Sequence, residues 1–494
     1  MKNNIFELDN EDIPIKISDN IESNSIDIIS PKKPKKRHFT KRNIIFFFVI
    51  FIILILIYLA DNNHTIEELY KKIDILESKI EKLDKDTIKK KIGIAIVTPH
   101  LFGNGIARQL TILSDLLIKT GKYNVYIINE KTTDADFKYN KKIKREIQKK
   151  DEQIIRDFDE ENDIQIYILN NDVSDIIDIY HSLGKKVIGI FHGVYISCVF
   201  TDDPIIYRSW YLFEKYDSFI HIIPDDYWIY QKLGFKNNIF IPNLYTFDYN
   251  HTPSSLLSYK NVLMVGRVDD IIKGGKYGIL AMSEILKEIP DAQLNIVSPI
   301  HPKDVLDLVK QLKIENNTKI FGFRNNISEL YLNASVLLVT SISESFPMVT
   351  NEAKAHGLPI IAFDIDYCPC FQKGVIKVDM FNYTLMAREA IKLLKNYEYR
   401  KKMGNEAKLS LNDFNNNNTV IMWDKLFNSL INGTESFEKF QKEVKEKYYN
   451  EKIAESHIEK HYKYGQQFNE HYKCHTLENF TNLNYIKNIE DCLI

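Results

Sequence analysis

Two stretches of this chain read in the same order, and that repetition restricts the fold more than any single motif. Residues 92–128 run from the apolar segment IGIAIV through a glycine-containing loop and an amphipathic helix (ARQLTILSDLLIK) to a second apolar segment, NVYII. Residues 261–297 repeat the order with NVLMV, a loop holding three glycines, a helix over KYGILAMSEILKEI and the segment LNIV. Short apolar runs separated by helices of this length predict βαβ units, and runs that are apolar throughout suit strands covered on both faces. Gly121 follows the first helix as a left-handed cap would. The runs KVIGIF (186–191), SFIHII (218–223), IFGF (320–323), VLLVTS (336–341) and LPIIAF (358–363) supply further strands. The expected class is therefore α/β, with one doubly wound domain over residues 91–247 and another over 248–432. The charged segment 138–161 reads as a solvated helix, and residues 433–494 as a polar helical extension.

Ahead of these domains lies a different kind of chain. Residues 1–42 are polar, expected to be disordered, and end in the basic cluster KKPKKRHFTKR. Residues 44–60 then carry no charge over 17 positions, which predicts a transmembrane signal anchor over 43–60. The positive-inside rule puts the basic tail in the cytoplasm and the rest on the lumenal or exoplasmic side, a single-pass type II arrangement. In residues 62–90, Ile66, Leu69, Ile73, Leu76, Ile80 and Leu83 recur three and four apart. This is an a/d seam for a short parallel coiled coil, hence a homodimer, or for one amphipathic helix packed on the following domain. Net charge of −2 over 494 residues offers no field for nucleic acid. The five cysteines form no zinc pattern, and the triplets Asp157-Phe158-Asp159 and Asp364-Ile365-Asp366 are the chance yield of a chain with 67 acidic residues.

The chemistry concentrates in SISESFPMVTNEAKAHGLPIIAF, residues 341–363. Glu344 closes a strand, a Pro-containing turn follows, and Glu352 lies eight residues on, along the next helix. Carboxylates accept sugar hydroxyls, and the amides opening a helix favour an anion. Two other strand ends carry polar groups suited to a phosphate: Arg267 after NVLMV, followed by Lys273 and Lys276 around a Gly-Gly pair, and the loop Gly103-Asn104-Gly105. His192 stands at the end of KVIGIF.

This set resembles the E-x7-E signature and the G-R…K-G phosphate motif of retaining glycosyltransferases of the GT-B fold, in particular family 4 (glycosyltransferase group 1), over about residues 92–432. The resemblance implies two Rossmann-like domains facing a cleft and a hexosyltransferase that needs no metal and no cofactor. Its substrates would be a nucleotide-sugar, a UDP- or GDP-sugar, and a glycan, protein or lipid acceptor. It also assigns roles. Arg267 and Lys273 (or Lys276, because the loop is one residue longer than the common form) would neutralise the diphosphate. Glu344, with the amides of Phe346, Met348 and Val349, would hold the sugar, and Glu352 the ribose. His192 would orient the sugar, and Gly103 and Gly105 would face the diphosphate. Departures from the family pattern are SPIHPKD in place of a G-x-G and the missing glycine in FDIDYCPCFQKG. The alternative is a GT-B protein that binds a sugar nucleotide or serves as a membrane-tethered scaffold without transfer.

Overall fold

A computed structural model describes residues 90–468 except 135, 148–150, 171–175, 195–212, 269–271, 299–302, 325 and 366–367. The anchor at 43–60 and the heptad seam of Ile66 to Leu83 lie outside the described residues, as do Cys198, Cys474 and Cys492. Among the described residues no helix is long and apolar enough to cross a membrane.

The apolar runs form two wholly parallel sheets. The first contains β1 (Ile92–Val97), β2 (Tyr123–Asn129), β3 (Lys144–Ile147), β4 (Ile164–Asn170), β5 (Lys186–Phe191), β6 (Ser218–His221) and β7 (Asn238–Phe240). Their spatial order is β3-β2-β1-β4-β5-β6-β7. The second contains β8 (Asn261–Val265), β9 (Gln293–Val297), β10 (Thr318–Phe321), β11 (Val336–Val339), β12 (Ile360–Phe363) and β13 (Val375–Val378), ordered β10-β9-β8-β11-β12-β13. Each sheet reverses direction once, between β1 and β4 and between β8 and β11. A crevice opens there at the carboxyl ends of the strands, where doubly wound sheets take their ligands. Helices cover both faces, so Ile94, Ile96, Ile166, Ile168, Val262, Leu263, Leu337 and Ile361 are all buried, which is why their strands are apolar throughout.

The segment 138–161 is not one helix. Residues 144–147 pair with β2 as an edge strand, and only Glu152–Asn162 is helical, capped by the Asp151 side chain. Asp159 of the first acidic triplet is buried, accepting from the Tyr167 hydroxyl at 2.9 Å and from Lys185 Nζ at 2.7 Å. It is a structural anchor. Asp364 of the second triplet pairs with Lys377 and Lys460.

The last helices return to the first domain. Asn416–Asn432 docks by an edge contact of Phe427 on Tyr123 and by Asp424, which accepts from Lys122 Nζ at 2.8 Å and from the Tyr123 hydroxyl. Nor are the following helices simply solvated. Phe437, Phe440 and Val444 of Thr434–Tyr448 are buried. In the same helix Gln441 donates to the carbonyls of Lys236 and Asn238 at 2.8 and 2.7 Å, along the edge of β7. Glu451–Phe468 buries Ala454 and Ile458, and its polar side chains reach both domains. His457 meets Asp225, after β6, at 2.8 Å, and Lys460 bonds Asp364, after β12.

Candidate functional site

A cavity of about 430 Å³ separates the two sheets, and all ten residues singled out from sequence line it. Its first wall begins where β1 ends. Gly103 adopts φ +76°, a left-handed conformation open to glycine at no steric cost. The Asn104 side chain then caps the helix Gly105–Thr120 by accepting from the Ala107 amide at 2.8 Å. That helix therefore opens at the cavity wall. His192 follows β5, and its carbonyl accepts from the Ser345 hydroxyl of the opposite domain at 2.8 Å. The His192 ring Nε2 is buried with no partner, and burial pushes the ring down to about 4, so it is neutral at pH 7.

The second wall is built on β8 and β11, the two strands flanking the reversal. Arg267 stands exposed at the tip of β8. Beyond it the chain doubles back, and a Cβ on Gly274 (φ +57°) would lie 2.4 Å from the Thr340 carbonyl oxygen. A Cβ on Gly275 would lie 2.3 Å from that of Val268. The glycine pair thus lets the loop dock on the end of β11, where Thr340 Oγ1 donates to the Lys273 carbonyl at 2.9 Å. Lys273 Nζ reaches Glu344 Oε1 at 2.6 Å, and the same oxygen accepts from Ser341 Oγ at 2.7 Å. Lys276 turns away, its Nζ 5.0 Å from the Tyr277 ring centroid, and does not line the cavity. Of the two lysines left open by spacing, Lys273 is the one at the site.

The helix Met348–Ala355 starts at the same wall. Pro347 at its N-cap has no side chain able to accept, so the helix presents its opening amides near Met348 and Val349. Phe346 is buried and stacks on Tyr245 at 6.3 Å, which fixes the turn. Two turns after Glu344, Glu352 is buried. Its Oε1 accepts from Thr246 Oγ1 at 2.8 Å and its Oε2 from the Tyr331 hydroxyl at 2.9 Å. Burial pushes the Glu352 carboxyl up, opposed by Thr246, Arg108 and Tyr331. A carboxylate has about four acceptor positions, so these two bonds leave room for ligand hydroxyls.

The cavity also takes residues that motif reading missed, notably Arg108, Phe137, Phe323 and Arg324. Arg108 carried one usable signal: it falls one turn after the glycine loop, on the face that the loop presents. Phe137 and Phe323 carried none, because each acquires meaning only from a partner across the cleft. Arg108, Arg267, Lys273 and Arg324 set four cations against Glu344 and Glu352, a balance suited to a doubly charged anion. Among the described residues no three His, Cys, Asp or Glu side chains gather as a metal site requires.

The decisive stretch runs through this second wall: residues 253–410 match the family model "Glycosyl transferases group 1". This part of the chain is similar to group 1 glycosyl transferases. The domain and its neighbour adopt the two-sheet GT-B architecture. Sucrose-phosphate synthase from Thermosynechococcus elongatus superposes with a TM-score of 0.59 at 15% identity, over 70% of this chain and 100% of that one. Anabaena HepE, solved in complex with UDP, does so with a TM-score of 0.55 at 14% identity, over 68% and 100%. In sequence, the N-acetyl-alpha-D-glucosaminyl L-malate synthase of Bacillus anthracis is 30% identical over 182 residues, 36% of this chain. The chain spans 45% of the length of that relative, less than half.

The neutral His192 ring gives the site a pH signature. Its folded value is about 4, whereas an unfolded histidine titrates near about 6.5. Between these limits the unfolded chain holds more protons, so stability falls as pH drops from about 6.5 to 4. His221, buried on β6 and pushed down to about 3, acts in the same direction. Thermal unfolding across this window is expected to show a falling midpoint, and His192→Asn to flatten part of the slope. An unchanged slope would remove His192 from the titrating set.

Proposed function

We propose that this chain is a retaining hexosyltransferase that moves a sugar from a nucleoside diphosphate to an acceptor hydroxyl. One observation carries the reading: Arg267, Lys273 and Glu344 converge at the reversal point of the second sheet, facing the glycine loop of the first. The group 1 match over 253–410 supports it, as does the UDP held by HepE, a protein of the same fold. In this reading the donor lies against the second domain. Arg267 and Lys273 neutralise the diphosphate as its bond to the anomeric carbon breaks. Glu344, held in place by Lys273 and Ser341, accepts from hydroxyls of the sugar, while the amides of Phe346, Met348 and Val349 donate to its oxygens. Glu352 accepts from the ribose, and neutral His192 offers its ring to the sugar. The acceptor oxygen bonds the anomeric carbon on the face that the diphosphate leaves, and a diphosphate oxygen takes its proton, so configuration is retained. Fixed cations supply the charge stabilisation, so the reaction is expected to proceed in EDTA.

The test is nucleotide release from a panel of UDP-, GDP- and ADP-sugars in EDTA, with wild type beside Glu344→Ala. Release of one nucleotide that collapses in the variant is the expected result. Thermal stabilisation by a donor without release in any acceptor mixture would favour a sugar-nucleotide-binding scaffold. No response from folded protein would overturn the proposal. We also propose that residues 43–60 tether the chain as a type II anchor and that Ile66 to Leu83 pair two copies. Protease protection of the catalytic region in sealed vesicles tests the first, and cross-linking of a Leu69→Cys variant the second.

A further inference from the structure

Arg108 has no part in the roles assigned above, yet its surroundings are those of a binding residue. Side chains in a helix lean back toward its N-terminus, and Arg108, in the first turn of Gly105–Thr120, lines the cavity at which that helix opens. Its guanidinium lies 4.9 Å from the Phe137 ring centroid. A cation–π contact of this kind holds the group over the ring without using any of its five N–H donors. Among the described residues no hydrogen bond or ion pair engages that guanidinium. Phe137 in turn meets Phe323 of the opposite domain edge-on, with centroids 6.0 Å apart. Arg108 is therefore half-buried with its hydrogen-bonding capacity unspent, held against Phe137, which in turn contacts Phe323 across the cleft.

A planar fork of donors, pre-oriented and without a protein acceptor, suits an oxyanion that can take two bonds at once. Two ligand groups could supply one: a phosphate of the donor or an anionic group on the acceptor. Position favours the donor. Arg108 acts electrostatically on Glu352 and Tyr331, the buried pair on the second domain's wall. In the proposed function, on which this inference rests, that wall receives the nucleoside. We propose that Arg108 is a donor-binding residue of the first domain, whose guanidinium takes the phosphate nearest the nucleoside. The donor is then gripped from both domains, by Arg267 and Lys273 on one side and Arg108 on the other.

The test is calorimetric titration, without acceptor, of UDP, GDP and ADP and of their parent nucleosides into the full chain. Wild type is compared with Arg108→Gln, which keeps an aliphatic stem on Phe137, and with Arg108→Lys. Arg108→Gln is expected to weaken binding of the preferred diphosphate by about tenfold to a hundredfold, the range for a charge-assisted hydrogen bond. Nucleoside affinity should be unchanged, and Arg108→Lys should recover only part of the loss. Equal losses for nucleoside and diphosphate would overturn the proposal in favour of a packing role on Phe137. Unchanged diphosphate binding with a raised acceptor KM would overturn it in favour of an anionic acceptor. If wild type binds none of the diphosphates, the transferase reading itself fails and takes this inference with it.

Discussion

Replacing Arg267 by alanine is expected to lower kcat for the proposed sugar transfer by about 10²- to 10³-fold, the usual loss when one preorganised charge-stabilising group is removed. Arg267 is placed for this by the fold. It follows β8, one of the two strands that flank the reversal of the second sheet, and Lys273 lies on the loop that docks beside it. The negative charge on a leaving diphosphate grows as the bond to the sugar breaks, so a fixed cation there acts more on the transition state than on the bound donor. The loss should accordingly fall on kcat as well as on donor affinity. Arg267→Lys should keep part of the rate, since a point charge remains but the two-pronged geometry is lost. Because the side chain is exposed, the melting temperature should move little, within the roughly 0.5 kcal/mol typical of surface changes. Steady-state kinetics with the released nucleotide as readout, beside a thermal melt, checks both statements. Wild-type kcat in a folded Arg267→Ala protein would remove the residue from the mechanism.

How much of this was legible in the sequence depended on where the physical signal resides. Strands buried on both faces announce themselves as apolar runs, so both βαβ openings and the strand before Glu344 were placed from residue type alone. β3 was not, because an edge strand reading KREI needs no apolar run and sits within charged chain. The tail hid its burial for a related reason. Phe437, Phe440 and Val444 form a stripe diluted by glutamate and lysine, and only the return to β7 gives that stripe a partner. The residues singled out for local chemistry, a carboxylate at a strand end, a cation at a strand tip and glycines in a loop, come together in the cavity lining. Spacing left Lys273 and Lys276 open as the phosphate lysine; the structure puts Lys273 in the cavity lining and Lys276 against Tyr277. Phe137 and Phe323 stayed hidden because their contact forms only across the cleft, and Arg108 had only its place after the glycine loop to point to it.

Glu344 and Lys273 should behave as one unit, and this coupling is the sharpest expectation for the site. Their 2.6 Å contact lies mostly out of water, with Glu344 10% and Lys273 30% exposed. A charge-assisted bond in such a place contributes about 1.5–3 kcal/mol, well above an exposed surface pair. Glu344→Ala should lower kcat by about 10³-fold, because it removes an acceptor for the sugar and also releases the lysine from its set position beside the diphosphate. Lys273→Ala should cost about 10²-fold, and it leaves Glu344 with Ser341 as a remaining donor. If each residue positions the other, part of each single loss is the same loss counted twice. The double variant should then be slower than Glu344→Ala by less than about tenfold rather than about a hundredfold, a coupling of at least about 1.4 kcal/mol. Glu344→Gln separates the two components. The amide can still accept from Lys273 and a sugar hydroxyl but carries no charge, so it should fall between wild type and Glu344→Ala. Multiplicative losses in the double variant would mean that the pair is only a contact, with the two side chains serving the donor independently. A subadditive cycle would instead identify Glu344 as both a sugar ligand and the group that aims the phosphate-binding lysine.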